Sequence, residues 1–254
     1  MRLIGKSGIL LLLLTLMVAG CKKSILNDDP GITTSDNVRL RIFPYWNNYY
    51  FNSDSLYFAG GSFLKVDEIS VIHSNFTFVD DGDTLPAGEI REWKITGGTD
   101  LLLGYLEPGS YTGFYIYKVG LDSVSNLKPP QSYPEGHPLA NTQYYRGPGK
   151  GYNFITITGR IQDPNKPNSE PTIPLKWVVA TQDLVLDYKM TESFNVVAGK
   201  MVTFDVVFDV AKLFDGLFPL VNPIIKADPS DTQDFNLAQT LQNNFKTKAY
   251  KIQI

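Results

Sequence analysis

The sequence predicts an all-β chain: an antiparallel β-sandwich with a short C-terminal helix. Three observations carry that expectation. Apolar residues recur at period two, not 3.6, along most of the chain. The recurring segments are rich in β-branched and aromatic residues, including 14 Tyr and 15 Phe in 254 residues, which suits pleated, half-buried surfaces. Turn signals of Gly, Pro, Asn and Asp separate them at short spacing. Roughly eight to ten strands linked in this way fit two packed antiparallel sheets.

Taken in order, Val38, Leu40 and Ile42 alternate with Arg39 and Arg41, a half-buried strand. Residues 63–66 and 69–78 form a pair of extended segments, closed by the turn Asp80-Asp81-Gly82-Asp83. Residues 101–106 lead into the tight turn Glu107-Pro108-Gly109, and 111–119 resume as a strand rich in Tyr, Phe and Ile. Later strands are expected at 152–161, 175–186, 193–197 and 201–208. One clear helical stretch occupies 234–246, where Phe235, Ala238, Leu241 and Phe245 share a face and Asp231 or Thr232 can cap the first turn. A shorter helical turn is expected within 210–217. The Pro- and Gly-rich stretch 128–151 is long for a structureless loop, and such loops tend to be functional.

The first twenty residues have the pattern of an export signal. Arg2 and Lys6 give a positive start, and the apolar run 9–19 is broken only by Thr15. That run is too short to span a bilayer, which takes about 20 apolar residues. It ends in Val18-Ala19-Gly20-Cys21, two small residues before the only cysteine of the chain. A lipoprotein signal peptidase needs this arrangement, cutting between Gly20 and a lipidated Cys21. The expected organisation is therefore a signal peptide at 1–20, a flexible tether at 21–36 containing Pro30-Gly31, and one β-sandwich domain at 37–254. A lipid on Cys21 anchors the chain to a membrane without spanning it. Lys22 and Lys23 are not an acidic inner-membrane sorting signal, which points to the outer membrane, facing the periplasm or the cell surface.

Composition narrows the function classes. The formal charge is −3, and removing residues 1–20 leaves 21 basic against 26 acidic residues, so no broad electrostatic footprint for nucleic acid exists. A single cysteine forms no internal disulfide, and two histidines leave little for His-based chemistry. The chain lacks a Gly-x-Ser-x-Gly elbow, and its 26 acids offer no preferred pair, so no catalytic residues are assigned and the chain is not expected to be an enzyme.

Several segments, in order, resemble the MbnP-like family. Gly109-Ser110-Tyr111, followed by Tyr115 through Val119 and Gly120-Leu121-Asp122, is similar to the family's Gly-x-Tyr strand and Gly-hydrophobic-Asp turn. Gly151-Tyr152-Asn153-Phe154 resembles its Gly-Tyr-x-Phe segment, Phe208 through Gly216 is the most specific match, and Leu241-Gln242-Asn243-Asn244-Phe245 resembles its terminal helix. The resemblance implies a β-sandwich exposed outside the cytoplasm and, in founding members, copper held by histidines with a tryptophan-derived kynurenine. Here Thr142 through Lys150 holds neither Trp nor Met, and no His lies near Trp177-Val178-Val179-Ala180. His137-Pro138-Leu139 corresponds to a family His-Pro-Leu. The scaffold is expected to be kept and the copper site lost, so no metal ligands are assigned.

The candidate ligand-binding residues are His137, Tyr144, Tyr145 and Arg146, all in the 128–151 loop: a potential ligand, two aromatic platforms and a cation. His73 shares a face with Ile69 and Val71 and is expected as a hydrogen-bonded core or edge histidine. Tyr49, Tyr50 and Phe51 are read as ordinary sheet cover, and Trp93 and Trp177 as core or sheet surface. Asp80-Asp81-Gly82-Asp83 and Asp163-Pro164-Asn165 are read as turns and not calcium loops. The expected function is a lipid-anchored binding or interaction protein. A small-molecule, glycan, peptide or protein ligand and a copper-handling role remain as alternatives.

Overall fold

The computed structural model describes residues 36–253 apart from 81–82, 113–114, 167–168, 191 and 218–222. Residues 1–35, which include the expected signal peptide, Gly20, Cys21 and nearly all of the expected tether, lie outside the described residues, and the turn residues Asp81 and Gly82 do so as well.

Strand β1 (Val38–Trp46) alternates buried and half-buried along all nine residues, as the Val-Arg-Leu-Arg-Ile pattern dictates. Asn37 fixes its start: the side-chain amide donates to the Leu106 carbonyl and the amide oxygen accepts from the Leu106 N–H, each at 2.8 Å. β2 (Tyr49–Tyr50) folds back antiparallel on the end of β1. β3 (Tyr57–Ala59) makes a hairpin with β4 (Ser62–Asp80). The two extended segments expected at 63–66 and 69–78 are therefore one 19-residue strand. The polar pair Asp67-Glu68 does not break it, because a register shift between Val66 and Glu68 absorbs the irregularity against β9 (Asn153–Ile161). Gly159 of β9 lies opposite that bulge, and a Cβ there would stand 2.2 Å from the Lys65 carbonyl oxygen, so no larger residue fits.

β5 (Asp83–Ile95) contains Pro86 and Gly88 as well as the charged residues Glu89, Arg91, Glu92 and Lys94, so it carries little strand signal of its own. It forms by pairing with β4 from Asp80–Asp83 back to Ile69–Ile95. β6 (Thr99–Gly104) returns to the edge of β1. The expected strand at 111–119 is split into β7 (Gly109–Tyr111) and β8 (Tyr115–Val119). Likewise 175–186 divides into β10 (Ile173–Ala180), a 3-10 turn at Gln182–Leu184, and β11 (Leu186–Met190). β12 (Phe194–Val196) pairs with β7 as a separate ribbon. β13 (Val202–Asp209) runs straight into the short helix α2 (Val210–Leu213), which the Asp209 side chain caps.

β14 (Ile224–Ile225) adds to the edge of β10. Helix α3 (Thr232–Asn244) is capped by Asp231, whose carboxylate accepts from the Gln233 and Asp234 amides. A π-turn (Phe245–Ala249) and β15 (Tyr250–Gln253) end the chain.

The result is the expected all-β sandwich with a C-terminal helix, built from one five-stranded and one eight-stranded sheet. The sheets are not wholly antiparallel. β1 runs parallel to β13, and β10 parallel to β14. Strand alternation carries no information on direction, so the sequence could not show this. The β1–β13 register is pinned from outside by Arg39 on Thr203 and by a two-pronged pair of Arg41 on Asp205, at 3.0 and 2.9 Å.

Between the sheets lies the main core, with Leu40, Ile42, Phe204, Val206 and Phe208 of one sheet facing Ile69, Val71, Ile155, Ile157 and Trp177 of the other. Each fully buried large side chain there stabilises the fold by about 1.5–3 kcal/mol. Trp93 and Trp177 are both core residues at 1% exposure.

Candidate functional site

The 128–151 loop does not hang free. Ile72, Ile90 and Phe154 project from the outer face of the eight-stranded sheet and are covered by Leu121, Leu139, Tyr144 and Tyr152, forming a second, smaller core. The segment is held by its own short helix α1 (Ser123–Leu127), whose N-cap Asp122 accepts from Val124 and Ser125 at 2.9 Å each. The Tyr152 hydroxyl ties the loop together by donating to the carbonyl of Lys128 and lying within bonding distance of that of Leu139. At Gly151 (φ +67°), Asn126 accepts from the following Tyr152 amide so closely that a Cβ would meet its side chain at 2.2 Å.

This packing sorts the expected site residues. Tyr144 is buried, and its hydroxyl donates to Glu92 Oε1 on the sheet, so it offers no open ring face. His137 caps the 3-10 turn Pro138–Ala140: its Nδ1 accepts from the Leu139 amide at 3.1 Å, and its ring stacks on Tyr133 with centroids 4.5 Å apart. Tyr145 is half-buried, tilted against Tyr152. Arg146 reaches across to a different part of the chain and donates to the carbonyls of Lys226 and Ala227 at 3.0 and 3.2 Å.

Arg146 thereby divides two clefts. One, of about 350 Å³, is bordered by Asn126 and Leu127 of α1, Gly149 and Lys150 of the loop, Thr181 and Asp228. The other, about 390 Å³, lies toward β10 and β14 and shares Arg146, Lys150 and Asp228 with the first. Both volumes are at the lower end of small-molecule sites.

The segment beyond Arg146 is held from two sides. Asp234 of α3, itself buried, accepts from the Lys226 amide through one carboxylate oxygen and from the Asp228 amide through the other, both at 2.8 Å. Between them Ala227 sits at φ +51°. Thr181, on the opposite rim, is at φ +76°, and its buried hydroxyl has no hydrogen-bond partner. Four non-glycine residues with positive φ occur among the described residues. Two are Asn, which tolerates this region; the other two are Thr181, which borders the first cleft, and the buried Ala227, which lies between the lining residues Lys226 and Asp228. Strain of this kind costs about 1–3 kcal/mol per residue and gathers at functional sites.

Burial pulls the Arg146 pKa below its ordinary value, with the charges of Asp228 and Asp234 opposing. The Ser230 hydroxyl and amide hold the Asp228 carboxyl below the usual carboxylate range, and Lys150 and Arg146 add to that. The sequence pointed to Arg146 and Tyr145 through the loop. It missed Thr181 and the Lys226–Asp228 segment, since nothing local marks residues whose role comes from meeting the loop in space.

No family model matches this chain, and no curated protein matches it in sequence. A solved structure with a similar fold is MbnP from Methylosinus trichosporium. It aligns over 70% of this chain and 77% of that chain, at 13% identity and a TM-score of 0.44. At that identity no residue role passes from one protein to the other.

The copper implied by the sequence resemblance must be tested on the residues themselves. His73 lies in the main core, with its ring 3.9 Å from that of Trp93 and 5.4 Å from that of Tyr117. His137 lies over the outer face of the same sheet, so the sheet separates the two imidazoles. Among the described residues no three His, Cys, Asp or Glu side chains stand close enough to hold a metal ion. These residues do not fit copper, whose affinity rests on converging imidazole and sulfur ligands. Elsewhere on the surface, Tyr49 is 79% and Tyr50 53% exposed, while Phe51 is buried.

Proposed function

We propose that this chain is a lipid-anchored extracytoplasmic binding protein. A lipid on Cys21 holds it at the outer membrane, facing the periplasm or the cell surface, and the β-sandwich presents a ligand site at the paired clefts around Arg146. The observation that carries the binding reading is the convergence there of four separate chain segments, two of them backbone-strained, beside a buried hydroxyl left without a partner. A protein that needed this corner only for packing would relieve such strain at little cost. Val18-Ala19-Gly20-Cys21 supports the anchor. The role is non-catalytic, with a membrane partner through the lipid and no nucleic-acid partner.

The test has two parts, both on the full chain expressed in a Gram-negative host. Metabolic labelling with a radioactive fatty acid should mark the wild-type protein and not Cys21→Ser, and the variant should leave the membrane fraction; an unlabelled wild type sinks the anchor. A thermal-shift screen of glycans, peptides and small acids should find a stabilising ligand whose effect is lost in Arg146→Ala. Ligands that stabilise both proteins equally would place binding elsewhere.

A further inference from the structure

The cleft toward β10 and β14 has a charge unlike that of the chain. Arg146, Lys150, Lys176 and Lys226 border it against the single carboxylate of Asp228, on a protein whose net charge is negative. Lys94, Lys118, Lys212 and Lys248 each meet a carboxylate within 4.0 Å. Among the described residues no such ion pair engages Lys150, Lys176 or Lys226. Three ammonium groups from three chain segments thus border one concavity, and an anion there meets a local excess of positive charge.

The rest of the lining is of another kind. Tyr145, Val178 and Ile224 give an apolar wall, and Gln143 and Asn153 bring side-chain amides. Cations, amides and a half-exposed aromatic ring together match a compact ring that carries both hydroxyls and an acid.

We propose that this cleft binds a small acidic saccharide, its carboxylate or phosphate held among Lys150, Lys176 and Lys226 and its ring seated beside Tyr145. The proposal rests on the reading of the chain as a binding protein and names the ligand class of that site. Both sources of the acid share one chemistry, recognition of an oxyanion by ammonium groups, with the sugar ring fixing orientation.

The experiment is calorimetric titration of the full chain in detergent micelles with digalacturonate, glucose 6-phosphate and neutral maltose. At least one acidic probe should bind, maltose should not, and affinity should fall as salt rises. The double variant Lys176→Gln, Lys226→Gln should weaken binding about tenfold or more, the scale of losing a charged contact, and Tyr145→Ala should weaken it at any salt concentration. Preference for digalacturonate identifies the carboxylate, and preference for glucose 6-phosphate the phosphate. Binding of neither acidic probe, equal binding of maltose, or indifference to the lysine pair overturns the proposal. Because the lysines are exposed, the variant should keep the wild-type melting temperature. If the acidic probes fail while another ligand still depends on Arg146, the binding-protein reading stands and only the ligand class falls.

Discussion

His73 sits in an environment far removed from water. It is fully buried, its neighbours Phe76, Trp93, Tyr117 and Tyr250 are uncharged rings, and neither of its nitrogens makes a hydrogen bond. Burial lowers its pKa from 6.5 to about 3; the Val71 backbone opposes this without reaching hydrogen-bonding geometry. Its folded pKa lies below the unfolded one, so between these values the unfolded chain binds a proton that the folded chain does not. Its contribution is whole above pH 6.5 and is lost as pH falls toward 3, at about 1.4 kcal/mol per pH unit once well below the unfolded pKa. Urea unfolding at about pH 6 and about pH 5, both inside that window, should show the slope in the wild type, and His73→Phe should flatten it. Equal slopes in the two proteins would mean the imidazole is solvated after all. The sequence placed this residue correctly, because alternation along a strand settles which face a side chain takes. The expected hydrogen-bonded state is overturned, since both nitrogens are buried without a partner among uncharged rings that offer none.

At the scale of elements, the C-terminal helix does more than fill a groove. Asp234 stands in its first turn, where a carboxylate favours the helix, and the same side chain holds the Lys226 and Asp228 amides in a strained path. Asp234→Ala removes both acceptors, and the predicted cost is about 2–3 kcal/mol, set by the loss of two partly buried hydrogen bonds to a carboxylate. Chemical denaturation measures it, and hydrogen exchange at Lys226 and Asp228 should quicken well before global unfolding. A loss below about 0.5 kcal/mol, the range of ordinary surface changes, would show that the clamp is not what holds this rim. The helix and its Asp231 cap were legible from spacing and cap chemistry. The clamp was not, since a carboxylate at that position looks the same whether it faces water or another loop.

For the molecule as a whole, β4 is the axis. It pairs on one edge with β9 and β8 and on the other with β3 and β5, so most of residues 69–78 are covered on both sides. Its central residues 69–74 belong to both cores at once, Ile69 and Val71 to the inner and Ile72 to the outer. Amides of this stretch should exchange only through global unfolding, while the two-residue edge strands β2 and β14 exchange by local opening. Slower exchange in β1 and β13 than in β4 would overturn that order and make the five-stranded sheet the last to open.

The sequence by itself determined the all-β class, the alternation of β1, the helix with its cap, and the face that His73 shares with Ile69 and Val71, because each depends on period and on the chemistry of near neighbours. Only the tertiary structure decided that β1 lies parallel to β13, that β5 is a strand despite Pro86 and Gly88, and that Tyr144 is interior while Arg146 meets Lys226 and Ala227. Apart from β5, whose partners in β4 lie 3 to 26 positions away, those outcomes come from residues 52 to 164 positions apart, such as Tyr144 and Glu92 or Arg41 and Asp205. Contacts at that range are selected by burial and pairing in three dimensions, and they leave no local pattern to read.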